Sequence, residues 1–302
     1  MKKKLPVLFL LVILCLAMTA CGKKRELKEY TVLSTDRENE YDFIYDELKH
    51  RIVVCEPEQT DGDTAVLLML HGYGGNASAF KRETGMDEQA TLRNYIVVYV
   101  TGISDKNDPT SAGGWNLDIA SETGEYVKDD VGMLAALVSY IQEEYKLDSD
   151  KAFVAGFSNG GFMMFRLAVE AQDVFSACAS VAGKVPEGTW NVYKDKNKVT
   201  AGFLQINGTS DDVVPMRLND SYKRAKDPAI EEVIEYLADV NKCSRIETVA
   251  LSDKSSLIKY SGKKSKQIWE VIIDNGRHSW PDENFSGFNT NELILDYFDM
   301  YR

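Results

Sequence analysis

Histidine is scarce in this chain: three occur in 302 residues, at His50, His71 and His278. None belongs to an H-E-x-x-H segment, so the signature of a zinc hydrolase is missing. The phosphate-cradling patterns G-x-x-x-x-G-K-[ST] and G-x-G-x-x-G are missing as well. Neither a metal nor an organic cofactor is therefore implied. Basic residues are in deficit, 35 Lys and Arg against 47 Asp and Glu, giving a net charge of −12. Nucleic-acid binding rests on neutralising phosphates with Lys and Arg, and this balance argues against it. With 7 prolines and no Pro/Gly-rich tract, nothing divides the chain internally, and no repeat or low-complexity segment does so either. Cysteine settles little. Beyond the N-terminal Cys15 and Cys21 there remain Cys55, Cys178 and Cys243, an odd number that permits at most one disulfide. Cys178 lies in the apolar FSACASVAG and is expected as a small buried hydrophobe.

What is present begins with a leader. Lys2, Lys3 and Lys4 precede an apolar run from Leu5 to Ala17, which small residues and Cys21 follow. That is the layout of a secretory signal over residues 1–20. The run is shorter than the ~20 residues needed to span a bilayer core. Met18-Thr19-Ala20-Cys21 resembles the lipobox of bacterial lipoproteins, in which the cysteine is lipidated and becomes the first mature residue. The expectation is a protein lipid-anchored through Cys21 to the extracytoplasmic face of a bacterial membrane, with simple secretion as the alternative. Residues 21–40 are charged and poor in large apolar groups, and read as a tether. Residues 41–302 then form one domain large enough to bury a substantial core.

Short apolar runs recur along that domain: Ala65 to Leu70, Tyr95 to Val100, Lys151 to Ala155, Ala177 to Val181, Phe203 to Ile206 and Ile268 to Ile273. They show little period-two alternation, as expected of strands covered on both faces. Helical spacing separates them, above all in Asp130 to Tyr145, and again in Gly161 to Ala171, Ile230 to Asn241 and Asn289 to Tyr301. The fold class expected is α/β, a mainly parallel central sheet with helices on both faces. Asp42 to Glu56 reads as a leading hairpin that supplies an antiparallel edge.

Within that frame VAGFSNGGFMM, Val154 to Met164, carries a G-x-S-x-G between a strand and a helix. A tight turn there lifts the serine hydroxyl clear of the sheet. Ser158 is a weak nucleophile unless a base takes its proton. In the α/β-hydrolase arrangement the chain order is Ser, Asp or Glu, His. His50 and His71 precede Ser158, which leaves His278, in the loop DNGRHSWP. The acid that orients it is expected in FLQINGTSDDVVP, where Asp211 is preferred and Asp212 is the spare. Oxyanion donors are expected from the backbone N–H of Asn159 and, in the glycine-rich LHGYGGNASAF, of Tyr73. His71 is expected to hold that loop, and Asp130 to cap the long helix.

Taken in order, HGYGGN (71–76), GGWN (113–116), DDVGML (129–134), GFSNGG (156–161), NGTSDDVVP (207–215) and GRHSWP (276–281) resemble the polyhydroxybutyrate depolymerase and feruloyl esterase group of α/β hydrolases, acetylxylan esterases included. The resemblance implies the α/β-hydrolase fold and a Ser158, Asp211, His278 triad, and it makes feruloyl or acetyl esters on plant polysaccharide the expected substrates. The family's disulfide from a cysteine like Cys243 to a later one has no counterpart, since no cysteine follows Cys243. Trp115 and Trp280 are expected as exposed loop aromatics lining an acyl or sugar pocket. The rival readings are a polyhydroxyalkanoate depolymerase or peptidase on the same fold, and a non-catalytic surface protein that binds glycans. Oligomeric state is open.

Overall fold

The computed structural model describes residues 27–103, 113–117, 128–147, 151–195, 199–216, 226–263 and 265–302. The leader and Cys21 lie outside the described residues. Described in chain order, the strands are β1 (Tyr30–Ser34), β2 (Glu40–Tyr45), β3 (Leu48–Cys55), β4 (Ala65–Leu70), β5 (Tyr95–Val100), β6 (Ala152–Phe157), β7 (Ala177–Val181), β8 (Gly202–Gly208), β9 (Arg245–Ala250), β10 (Ser255–Ser261) and β11 (Ile268–Ile273). The α-helices are α1 (Ala77–Thr84), α2 (Met86–Ala90), α3 (Asp130–Tyr145), α4 (Asn159–Glu170), α5 (Glu187–Tyr193), α6 (Ile230–Val240), α7 (Glu283–Ser286) and α8 (Thr290–Asp299).

Neighbouring strands form one sheet in the order β1-β2-β3-β5-β4-β6-β7-β8-β11-β10-β9. Its centre, β5 through β11, is parallel, and both flanks are antiparallel. Successive side chains of a strand point to opposite faces, so a strand covered on both must be apolar throughout. In β4, Val66, Leu68 and Leu70 enter one core while Ala65, Leu67 and Met69 enter the other. The first core is closed by α3, α4 and α6, the second by α1, α2 and α8. This is the mainly parallel α/β sheet expected from the strand and helix pattern, and the α/β-hydrolase fold that the resemblance implies.

Two expectations need correction. Residues 21–40 are not all tether: β1 pairs antiparallel with β2 from Tyr30↔Tyr45 to Ser34↔Tyr41. The physical reason is aromatic contact. Tyr30 stacks on Phe43 at 5.3 Å between ring centroids and meets the Tyr140 edge at 6.1 Å, which gives a charged segment one apolar anchor. The other correction is at the far edge, where β9 and β10 add a meander that was not anticipated. RIETVA is exposed at almost every position, and its place comes from pairing with β10, not from burial. Cys55, Cys178 and Cys243 are all free thiols, with Cys178 buried as expected.

Candidate active site

Parallel strands deliver their carboxyl ends to one edge of the sheet, where ligand and catalytic groups gather. Ser158 follows β6 at that edge with φ 50° and ψ −115°, a left-handed conformation costly for a residue with a Cβ. Its N–H donates to the Val181 carbonyl at 2.9 Å, and its own carbonyl accepts from Phe162 at 2.9 Å. These bonds hold the strained turn between strand and helix. The flanking glycines are steric necessities: a Cβ on Gly156 would strike the Gly160 carbonyl, and one on Gly160 would strike that of Leu70.

β8 and β11 are parallel neighbours, paired from Ile268↔Phe203 to Ile273↔Gly208, so the loops leaving them run side by side. Thr209 donates to the Ile273 carbonyl and Ser210 to that of Gly276, each at 2.9 Å. The two loops thereby bring Asp211 and His278 together. His278 Nδ1 lies 2.7 Å from Asp211 Oδ2, and His278 Nε2 lies 2.8 Å from Ser158 Oγ. Asp211 Oδ1 accepts from Val213 N–H at 2.9 Å and Val214 N–H at 2.7 Å. With one oxygen saturated by the backbone, the other is aimed at the ring. A proton on Nδ1, held by the carboxylate, leaves the Nε2 lone pair to accept from the serine hydroxyl. Asp212 is exposed, and no hydrogen bond joins it to His278 among the described residues. The ring of Phe157 sits 5.1 Å from that of His278 and covers one side of it.

The loop after β4 approaches from the other side. Gly72 packs on the nucleophile, since a Cβ there would lie 3.3 Å from Ser158 Cβ. The amides of Gly74 and Gly75 are taken by the Gly113 and Gly72 carbonyls. Those of Tyr73 and Asn159 have no acceptor among the described residues. Both are candidate oxyanion donors by position. His71 braces this loop. Its Nδ1 donates to the Gly72 carbonyl at 2.6 Å, and its Nε2 accepts from Gly102 N–H at 2.9 Å. Burial pushes its pKa down to about 4, so it is a neutral prop.

Trp115 is not the exposed aromatic expected. Trp115 is buried, its indole N–H donating to the His71 carbonyl at 2.9 Å and its ring 5.4 Å from the imidazole. It packs beneath the loop, because burying the ring is favourable once its N–H has the His71 carbonyl as acceptor. Trp280 is partly buried; its ring meets Phe80 edge-on at 5.6 Å and its N–H donates to Asn291 at 3.1 Å. It fastens the His278 loop to α1 and α8. The exposed aromatic beside the site is Tyr73.

Asp130 does not cap α3 either. Asp129 does, accepting from Gly132 N–H at 2.8 Å, while Asp130 is buried against Lys128 at 3.1 Å and accepts from Asn116 N–H at 2.5 Å. Lys128 also donates to the Gly114 carbonyl at 2.5 Å, and Asn159 Oδ1 accepts from Trp115 N–H at 2.8 Å. Lys128 was missed as a site residue. It ties residues 113–117 to the start of α3 while Asn159 ties them to the elbow, and the motifs GGWN and DDVGML were the only signal that these segments meet.

Comparison with known proteins shows the family of the chain. A phospholipase/carboxylesterase family model matches residues 49–235. Feruloyl esterase B of Neurospora crassa is 28% identical over 134 residues, 44% of this chain and 44% of that protein. An acetylxylan esterase of Coprinopsis cinerea is 32% identical over 132 residues, 43% of this chain and 34% of its own length. The matches thus span less than half of these relatives. Among solved structures, the acetyl xylan esterase from Aspergillus awamori superposes with a TM-score of 0.60 at 14% identity, covering 83% of this chain and 94% of that one. That likeness is one of fold. The family match takes in the elbow, the glycine-rich loop and Asp211, and the chain belongs to the phospholipase/carboxylesterase family of α/β hydrolases.

Proposed function

We propose that the protein is a serine esterase whose nucleophile is Ser158. Its Oγ attacks an ester carbonyl while His278 Nε2 takes the hydroxyl proton, and Asp211 stabilises the imidazolium so formed. The developing oxyanion accepts from the Tyr73 and Asn159 amides. His278 then gives the proton to the leaving alcohol. Water, deprotonated by the same ring, hydrolyses the acyl-enzyme and restores Ser158. The observation that carries this reading is the unbroken hydrogen-bonded line from Asp211 through His278 to Ser158 on a strained turn.

Feruloyl or acetyl esters on plant polysaccharide are the favoured substrates, supported by the kinship with feruloyl and acetylxylan esterases. The test is hydrolysis of p-nitrophenyl acetate, methyl ferulate, acetylated xylan, a hydroxyalkanoate oligomer and a peptide amide, beside a Ser158→Ala control. Turnover of ferulate or acetyl esters that vanishes in the control is expected. Cleavage of the amide or the hydroxyalkanoate alone would replace the substrate assignment, and turnover persisting in the control would remove Ser158.

We further propose that a lipid on Cys21 holds the enzyme at an extracytoplasmic membrane face, supported by the basic and apolar leader and the residues Met18 to Cys21. Cys21→Ala is expected to move the protein from the detergent phase to the aqueous phase on phase partitioning. Retention in the detergent phase would count against lipidation there.

A further inference from the structure

A concavity opens at the same edge of the sheet, where the β2–β3 hairpin meets the end of β5 and the start of α1. It encloses about 500 Å³. Four cations line it, Arg37, Lys49, Arg51 and Arg82, against two carboxylates, Glu40 and Asp42. Every carboxylate oxygen is already engaged. Arg51 Nε donates to Asp42 Oδ1 at 2.6 Å and Arg51 Nη1 to Glu40 Oε2 at 3.3 Å. Lys49 pairs with Asp42 Oδ2 at 3.3 Å. Glu40 Oε1 takes the Ser78 hydroxyl at 2.9 Å and lies 3.6 Å from Arg37. Arg82 has no acidic partner among the described residues. The lining is therefore cationic on a chain whose net charge is −12. It also presents unused guanidinium N–H groups, which suit an oxyanion.

The concavity is close to the nucleophile. Gly72 packs on Ser158, and the Gly75 N–H to Gly72 carbonyl bond closes a turn. Such a turn brings its ends within about 7 Å. Asn76, which lines the concavity, is one peptide further, so it lies within roughly 11 Å of Gly72. That is about two sugar units to the near rim, and Arg82, in the last turn of α1, stands up to about 9 Å beyond it. We infer that this concavity is a subsite for a carboxylate carried by the substrate, a uronic-acid unit near the ester under attack. Two carboxylates built into the lining disfavour a phosphate dianion more than a carboxylate monoanion.

This inference rests on the esterase reading, and its test separates the two. The probes are a xylo-oligosaccharide bearing one glucuronic acid and the same oligosaccharide with that acid reduced to the alcohol. Their affinities for the Ser158→Ala protein are measured by calorimetry, which needs no turnover. The acid form is expected to bind about tenfold tighter at low salt, as one charge-assisted contact allows. That preference should shrink between about 0.02 M and about 0.5 M salt. It should also be lost in Arg82→Gln, an exposed position whose replacement does not threaten the fold, and weakened in Arg37→Gln. Equal affinities, no measurable binding of the acid form, or a preference that survives both substitutions would overturn the subsite. Hydrolysis of p-nitrophenyl acetate by the unaltered protein, measured alongside, reports on the esterase reading by itself. Acid-selective binding without any ester turnover would leave the subsite standing and remove the esterase.

Discussion

His278→Ala and Ser158→Ala each lower kcat on p-nitrophenyl acetate by roughly 10⁴- to 10⁶-fold, and the double variant loses no more than either single one. The reason is the single line of hydrogen bonds, 2.8 Å from Ser158 to His278 and 2.7 Å from His278 to Asp211. Groups that move one proton act as a unit, so removing any of them removes the same step. Asp211→Asn is expected to cost roughly 10⁴-fold while leaving the fold intact, because the amide N–H₂ reverses the tautomer that the carboxylate imposes. Asp212→Asn should stay within about twofold, the residue being exposed and His278 Nδ1 being taken by Asp211. A full additive loss in the double variant, or an Asp212→Asn as damaged as Asp211→Asn, would refute the relay.

Glu270→Gln stabilises the protein above neutral pH, on the order of 3 kcal/mol, and leaves its stability nearly unchanged near pH 4.5. Glu270 is buried on β11 with its Oε1 unpaired among the described residues. Burial, reinforced by Glu231 and Glu235 on α6, pushes its carboxyl pKa up from 4.5 to about 7. Tyr260 of β10 is the other titratable group in its field. Below pH 4.5 the carboxyl is protonated in both folded and unfolded chains and contributes nothing. Between 4.5 and about 7 the unfolded chain has released the proton that the folded one keeps, so stability falls as pH rises. Above 7 the loss is complete, at 1.36 kcal/mol for each of the ~2.5 units between the two values. A neutral amide of the same shape does not lose it. Urea midpoints of both proteins at about pH 4.5 and 8.5 would show this, and parallel shifts at the two pH values would contradict it.

Much of this molecule can be read from local pattern, and the parts that cannot share one cause. The runs AVLLML and YIVVYV are apolar at every position, so they had to be strands buried on both faces, and β4 and β5 are. RIETVA has no such pattern, because its edge strand is positioned by hydrogen bonds to β10. The segment containing β1 looks like linker until Phe43 and Tyr140 are brought to Tyr30. Partners distant in sequence leave no periodic mark.

The site divides in the same way. Sequence by itself determined the chemistry available: one serine in a G-x-S-x-G, one histidine after it, and, at the end of an apolar strand between them, the adjacent aspartates Asp211 and Asp212. It determined these because residue type and order are local, and because the scarcity of histidine left a single candidate base. Only the tertiary structure decided that Asp211, and not Asp212, meets His278, since that depends on how the β8 loop winds against the β11 loop. Only it turned Trp115 inward to His71, handed the cap of α3 to Asp129, and committed Asp130 and Lys128 to bracing residues 113–117. Each of these is a choice between neighbours of like chemistry or between two faces of one loop. Such choices are made by packing and hydrogen-bond satisfaction in three dimensions, where the competing residues no longer stand next to one another as they do in the chain.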